Sequence, residues 1–182
     1  MKQERIAAAL AQFVRSLVSS HSRFEAVFAT GSAPDPMRLT AREREGMQLF
    51  SRAGCVNCHR SVTQSADQAS NTGLDSLPAD TGAGGGRFKP PSLRNVAVRP
   101  PYMRDGRFGT LREVVEFYAG QVRKSPGLDP RLLGQDGGPR RLNLTGEQVG
   151  ALVAFLEALT DSSFLRAEKQ SNPFPCGGQG PS

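Results

Sequence analysis

The sequence is poor in the residues that build disulfide frameworks and membrane segments. Its 182 residues contain three cysteines, two histidines and no tryptophan. Three cysteines cannot form an even set of disulfides, and no apolar run approaches the roughly 20 residues of a membrane span. The 23 basic residues exceed the 17 acidic ones but are scattered, without the aromatic-interleaved stripe of a nucleic-acid binder. We interpret this charge as a solvated surface that steers an acidic partner protein.

Nucleotide and export signals are missing as well. Arg87 stands where a dinucleotide fingerprint needs glycine, and no P-loop follows. Polar residues interrupt the apolar run at the N-terminus, so the segment does not read as a signal peptide. Its apolar residues instead recur on one helical face: Ile6, Leu10, Phe13, Val14 and Leu17. This spacing predicts a packing helix.

Three capping boxes predict helix starts later in the chain, at Thr40 with Glu43, Thr110 with Glu113, and Thr145 with Gln148. We expect the first helix to stop at Gly54 and the second at Gly120, a suitable left-handed stop. Gly46 and Phe50 would let the first helix lie close against the third, which carries a broad apolar stripe. The Gly- and Pro-rich segment 82–95 reads as ordered loop.

The stretch CVNCH carries the chemistry. Cys55 and Cys58 are separated by two residues and His59 follows directly, which is the attachment sequence of c-type haem. A zinc site needs four ligands, and the other candidates, His21 and Cys176, lie outside the central region. A thioredoxin-type pair needs alternating strands and helices, which the pattern does not show.

The second axial ligand of such a haem has several candidates. Met103 and Tyr102 lie in a loop before the second predicted helix, and Tyr118 lies at that helix's end. His21 is more typical of a surface or capping residue. Met103 and Tyr118 can also be read as residues that only pack in the pocket.

The residues together resemble a known family. The run GRFKPPSLRNVAVRPPYMRDGRFGTLREVVEFY (86–118), with CVNCH before it and LNLTGEQVGALVAFLEALTD (142–161) after it, is similar to the C-terminal haem domain of bacterial di-haem cytochrome c peroxidases and their MauG-like relatives. The resemblance spans roughly residues 3–174. It implies an all-α, cytochrome c-like fold with long Gly/Pro-rich loops around one covalent haem.

The resemblance also implies site residues. The distal ligand position falls on Tyr118, where the peroxidases have Met and the MauG-like branch has Tyr, so Tyr118 is preferred to Met103. Calcium would be bound through the backbone carbonyls of Arg99 and Pro101, although Arg99 replaces the usual Thr. Arg104 stands where the family has His, which puts steps that need this imidazole in doubt.

The implied function is electron relay. The family reduces peroxide at an N-terminal haem, whereas this sequence has one CxxCH and no tryptophan. We therefore expect a relay module that works with a redox partner protein or with a missing N-terminal haem domain or subunit. The alternatives are a peroxidase that uses its single haem, so enzyme activity stays undecided, and a haem-free metal-binding structural domain.

The expected organisation has three parts: an N-terminal helix and crossover (1–33), left from a preceding haem domain; the haem domain (34–165); and an irregular tail (166–182). Haem c is attached outside the bacterial cytoplasm, so we expect a periplasmic protein. The missing signal would fit a fragment, a reading frame that starts late, or a subunit beside a separate chain. Cys176 reads as an ordinary tail thiol, with an intermolecular disulfide as the alternative.

Overall fold

The computed structural model describes residues 2–28, 33–60 and 63–171. Its α-helices are α1 (Gln3–Ser16), α2 (Arg23–Ala26), α3 (Ala41–Arg52), α4 (Leu111–Glu116), α5 (Gly146–Glu157) and α6 (Ser162–Leu165). A π-helical turn, Phe117–Gln121, continues α4, and short 3-10 turns occur at Pro36–Arg38, Cys55–Asn57, Val96–Val98, Pro130–Leu132 and Glu168–Gln170.

Helices and ordered loops make up the described residues, which contain isolated β-bridges but no extended strand. The all-α prediction is confirmed. The three predicted capping boxes are all formed, and Ser22 with Glu25 forms a further one at the start of α2. Each box satisfies backbone donors that the first turn of a helix leaves without partners.

The helices α3 and α5 cross at close range, as the small residue at position 46 predicts. A Cβ atom built on Gly46 would overlap the carbonyl oxygen of Ala151 and the Cβ of Phe155. Around this crossing lies core A, formed by Leu49, Phe50, Leu93, Leu111, Val115, Val149, Ala151, Leu152, Phe155, Leu156 and Leu159. Core A fixes α3, and therefore the cysteine motif that follows α3.

The domain contains a second apolar cluster, which is separate from core A. Core B consists of Leu74, Phe117, Val122 and Leu128, and the side chains of Met103, Phe108, Tyr118 and Leu132 pack against it. Its members come from the long loops and from the π turn rather than from α3 or α5. The helix that starts at Leu111 thus supplies residues to both cores.

The buried carboxylate of Asp161 fastens the segment between α1 and α2 to the domain. Its side chain is 0% exposed. Oδ2 accepts hydrogen bonds from the backbone N–H groups of Ser20 and His21, each at 2.9 Å, and from the Ser19 hydroxyl at 3.2 Å. Oδ1 accepts from the Phe164 N–H at 2.9 Å. The Asp161 side chain therefore holds the segment between α1 and α2, mainly through the backbone N–H groups of that segment.

Two details of the sequence interpretation are wrong. The N-terminal helix forms, but none of its residues is buried, and the apolar side chains from Ile6 to Leu17 remain 41–63% exposed. The predicted packing against the described part of the chain does not occur.

The second predicted helix continues through a π turn to Gln121, and Gly120 is not in the left-handed region.

No helix in the described residues is long and apolar enough to cross a membrane. The proposed boundaries at residues 33 and 165 stay predictions, and Cys176 lies outside the described residues.

Candidate haem attachment site

The cysteine motif forms a compact turn directly after α3. Gly54 has φ of 79°, in the left-handed region, which an L side chain adopts only with strain. The chain then winds into the 3-10 turn, where the N–H groups of Cys58 and His59 both donate to the Cys55 carbonyl, at 3.2 and 2.9 Å. The turn therefore places two thiols and an imidazole within one short loop.

The imidazole of His59 interacts with the backbone carbonyls of Gln64 and Pro91. Its Nδ1 lies 3.1 Å from the Gln64 oxygen. A carbonyl oxygen can only accept, so Nδ1 donates in this pair, and Nε2 is the ring nitrogen that could bind a metal ion. The ring is half-buried beside Phe50 of core A, with ring centroids 6.5 Å apart. Burial lowers the pKa of His59, which favours the neutral, ligating form.

The two thiols are free and partly buried. Neither Cys55 nor Cys58 forms a disulfide. Burial raises the pKa of Cys55 to about 11, and the guanidinium of Arg140 opposes that rise. Burial also raises the pKa of Cys58, against the effect of Arg131. Both side chains thus stay protonated thiols, which are available for covalent attachment.

Two arginines from a distant loop bind the backbone of this turn. Arg131 donates from Nη1 to the Asn57 carbonyl at 2.7 Å and is held by Asp129 through Nε at 2.7 Å and Nη2 at 2.6 Å. Arg140 donates to the Ala53 carbonyl. Sequence reasoning missed both arginines, because they lie 74 and 87 residues from the carbonyls that they bind and no local pattern marks them.

The pKa of the distal candidate Tyr118 is affected by both cysteines. It lies in the π turn and packs against core B. Burial, Cys58 and Cys55 together raise its pKa to about 12, against the hydrogen bond with the Thr72 side chain, which lowers it. Thr72 is a neighbour that the sequence did not suggest.

The other distal candidates are placed differently. Met103, with φ of 70°, also packs against core B. Tyr102 packs against core A and donates its hydroxyl to the Val96 carbonyl at 3.1 Å. The side chain of His21 is 76% exposed beside Asp161. The choice between Tyr118 and Met103 stays a prediction.

The residues assigned to calcium lie on the surface. Arg99 and Pro101 are both exposed, and the Arg99 guanidinium donates to the carbonyls of Ser92 and Arg94, at 2.9 and 3.0 Å. This brings positive charge to the segment whose carbonyls would bind the cation, so calcium binding stays a prediction.

Arg104, which replaces the expected histidine, pairs with Asp75 and lies over the Phe88 ring, 5.0 Å from its centroid. A guanidinium in this position cannot exchange protons as an imidazole does.

The residues present fit a covalently bound haem. The turn supplies two free thiols and an imidazole whose Nδ1 is paired with the Gln64 carbonyl, and core A lies beside His59. The side chains that pack against core B include the phenol of Tyr118 and the thioether of Met103. Within residues 2–28, 33–60 and 63–171, no group of three His, Cys, Asp or Glu side chains could hold a metal ion.

Comparisons with known proteins show the family of the chain. Residues 43–160 match the family model of cytochrome c. The chain is 31% identical to cytochrome-c peroxidase IdrP1 of Denitromonas iodatirespirans, over 84% of this chain and 49% of that protein. It is 29% identical to the methylamine utilization protein MauG of Methylophilus methylotrophus, over 95% of this chain and 51% of that protein.

The chain is also similar to a solved structure. A MauG-like protein associated with microbial copper homeostasis superposes with a TM-score of 0.77 at 27% identity, over 95% of this chain and 62% of that chain. The chain spans about half the length of the curated relatives that it matches.

Proposed function

The chain belongs to the cytochrome c family, with MauG and cytochrome-c peroxidases among its relatives, and on this premise we propose that it is a one-haem electron-transfer domain. Cys55 and Cys58 would attach one haem c through thioethers, and His59 would ligate the iron through Nε2. Tyr118, with Met103 as the alternative, would be the distal ligand. The domain would relay electrons to a peroxide-reducing haem.

The haem, when bound, supplies a one-electron couple at its iron. The protein orients the ligands of the haem and tunes its reduction potential. Gln64 orients the imidazole of His59, and Arg131 and Arg140 hold the turn that carries both thiols. A tyrosine oxygen in the distal position would favour ferric iron and lower the reduction potential, whereas the Met103 thioether would raise it.

One observation carries the choice of relay over peroxidase. His59 lies beside Phe50 of core A, and Tyr118 packs against core B. With a haem bound, His59 and Tyr118 would both serve as ligands of its iron. Peroxide needs an open or displaceable position, so this arrangement favours electron transfer alone.

The partner that we propose is a second haem domain or subunit. Two observations support it: the relatives are about twice as long as the matched region, and the apolar face of α1 is exposed. We propose the periplasm as the location, because haem c is attached outside the cytoplasm. Calcium bound by the Arg99 and Pro101 carbonyls is a separate proposal, which a change in melting temperature on addition of EGTA would support.

The test is a paired intact mass and visible spectrum of the chain, exported together with cytochrome c maturation proteins. We expect one covalent haem and a low-spin ferric spectrum that hydrogen peroxide leaves unchanged. Cys55→Ala with Cys58→Ala should abolish covalent haem, whereas Cys176→Ala, the matched control, should not.

Two outcomes would count against the proposal. A high-spin ferric fraction that peroxide consumes would make the chain a peroxidase in its own right. For the distal ligand, Tyr118→Phe should change the ferric spectrum and Met103→Leu should not; the reverse result would assign Met103 instead.

A further inference from the structure

The helix that carries Tyr118 changes its geometry just before that residue. Leu111–Glu116 is α-helical, and Phe117–Gln121 forms a π turn. In a π turn each hydrogen bond spans five residues instead of four, so the turn accommodates one extra residue. Such turns are rare, and the described residues contain one.

The sequence spacing predicts a different placement of Tyr118. Positions 111, 115, 118 and 122 follow the α-helical spacing of four, three and four residues, which would align all four side chains on one face. The structure divides them. Leu111 and Val115 belong to core A, whereas Val122 belongs to core B and Tyr118 packs against it. The face presented by the helix therefore changes within the π turn.

Ring contacts of Phe117 and a hydrogen bond to Ala119 hold the π turn in place. Phe117 is 3% exposed, and its ring lies 5.1 Å from that of Tyr118 and 5.7 Å from that of Phe108, measured between centroids. Carbonyls in the last turn of a helix lack partners within the helix. The carbonyl of Ala119 accepts a hydrogen bond from the backbone N–H of Leu142 at 2.8 Å, so the loop before α5 stabilises the widened turn.

From this geometry we infer that the π turn is the positioning device for the distal ligand: its extra residue turns Tyr118 from the core A face to the haem site, and the contact between Leu142 and Ala119 maintains it. The inference rests on the proposed ligand role of Tyr118. Ala119 and Leu142 are then positioning residues, which touch neither thiol nor imidazole but set where the phenol lies.

Deleting one residue tests the inference directly, because it removes the residue that makes the turn wide. The holoprotein lacking Ala119 should keep one covalent haem, since the attachment turn is unchanged. It should lose the wild-type ferric spectrum, take on the spectrum of Tyr118→Phe, and show the same direction of shift in reduction potential. Ala119→Ser, which keeps the number of residues, is the matched control and should retain the wild-type spectrum and potential.

A second pair of variants covers the case in which the deletion does not yield holoprotein. Leu142→Pro removes the N–H that binds the Ala119 carbonyl, and Leu142→Ala keeps it. We expect a partial shift towards the Tyr118→Phe spectrum for Leu142→Pro, and the wild-type spectrum for Leu142→Ala.

The results separate this inference from the ligand assignment. A wild-type spectrum in the deletion variant, or in Leu142→Pro where the deletion carries no haem, would overturn the role of the turn. A wild-type spectrum in Tyr118→Phe would overturn the ligand assignment itself.

Discussion

Gly46 on α3 meets the carbonyl oxygen of Ala151 on α5 with no room for a side chain between them. The close approach lets Phe50, one turn later, pack against Phe155 with ring centroids 5.2 Å apart. The same helix ends just before Cys55, so the crossing of α3 and α5 sets the position of the attachment turn.

Gly46→Ala should destabilise the protein. The new methyl would overlap backbone, which cannot move without separating the helices, and overpacking of this kind costs about 3 kcal/mol. Thermal or urea unfolding measures the loss. Gly146→Ala, at the first residue of α5, has nothing within 4 Å of the added Cβ and should leave stability within about 0.5 kcal/mol. Equal stability of the two variants would contradict the close crossing.

The ion pair of Asp129 and Arg131 should make the free energy of unfolding depend on pH in the acidic range. Hydrogen bonds from the Arg131 side chain lower the pKa of Asp129 from 3.8 to about 2. A depressed carboxyl pKa stabilises the folded state above the unfolded value and loses this effect as pH falls through the folded value. The contribution is on the order of 2 kcal/mol above pH ~5.

Asp129→Asn provides the comparison for this pair. The difference in unfolding free energy between wild type and variant should be constant above pH ~5 and shrink between pH ~4 and ~2. A difference that does not change across this range would show that the carboxylate is not stabilised by Arg131.

Asp161→Asn should loosen the segment between α1 and α2. Burial alone would raise the pKa of Asp161, but hydrogen bonds from Ser163, Phe164, His21 and Ser20 hold it below its usual range, so the carboxylate is the form that binds. An amide nitrogen at either oxygen position would face N–H donors, at a cost of about 3 kcal/mol.

Hydrogen exchange of the Ser20 and His21 amides is the direct readout of that change. Both should lose protection in Asp161→Asn. Asp35→Asn is the control, because Asp35 accepts from Met37 at an exposed turn where asparagine caps equally well. Unchanged protection at Ser20 and His21 would contradict the role of Asp161.

The apolar face of α1 should be dispensable for the fold of this domain. Phe13 and Leu10 are 53% and 59% exposed, so Phe13→Glu with Leu10→Glu should leave the melting temperature unchanged and reduce self-association in light scattering. Phe24→Glu on α2 is the contrast, because Phe24 packs edge-on against Phe155 at 5.5 Å. A fall of several degrees in the α1 variant would show that this helix packs on the domain in solution.

Features that depend on a few neighbouring residues could be predicted from the sequence alone. The capping boxes that open α3, α4 and α5 form as predicted, because each uses a side chain and a backbone group three residues apart. The turn at Gly54 and the motif from Cys55 to His59 are local for the same reason, and together with the family resemblance they were sufficient to predict an all-α haem domain.

Features that depend on residues far apart in the chain could not be predicted in this way and are visible only in the folded protein. The π turn is one of them: positions 111, 115 and 118 keep α-helical spacing, yet Leu111 and Val115 belong to core A and Tyr118 packs against core B. Arg131 and Arg140 carry no local signal, since their partners are backbone carbonyls far along the chain. Amphipathic spacing likewise predicted that α1 has an apolar face but not what covers it, because periodicity records a side chain's direction and burial depends on what lies opposite.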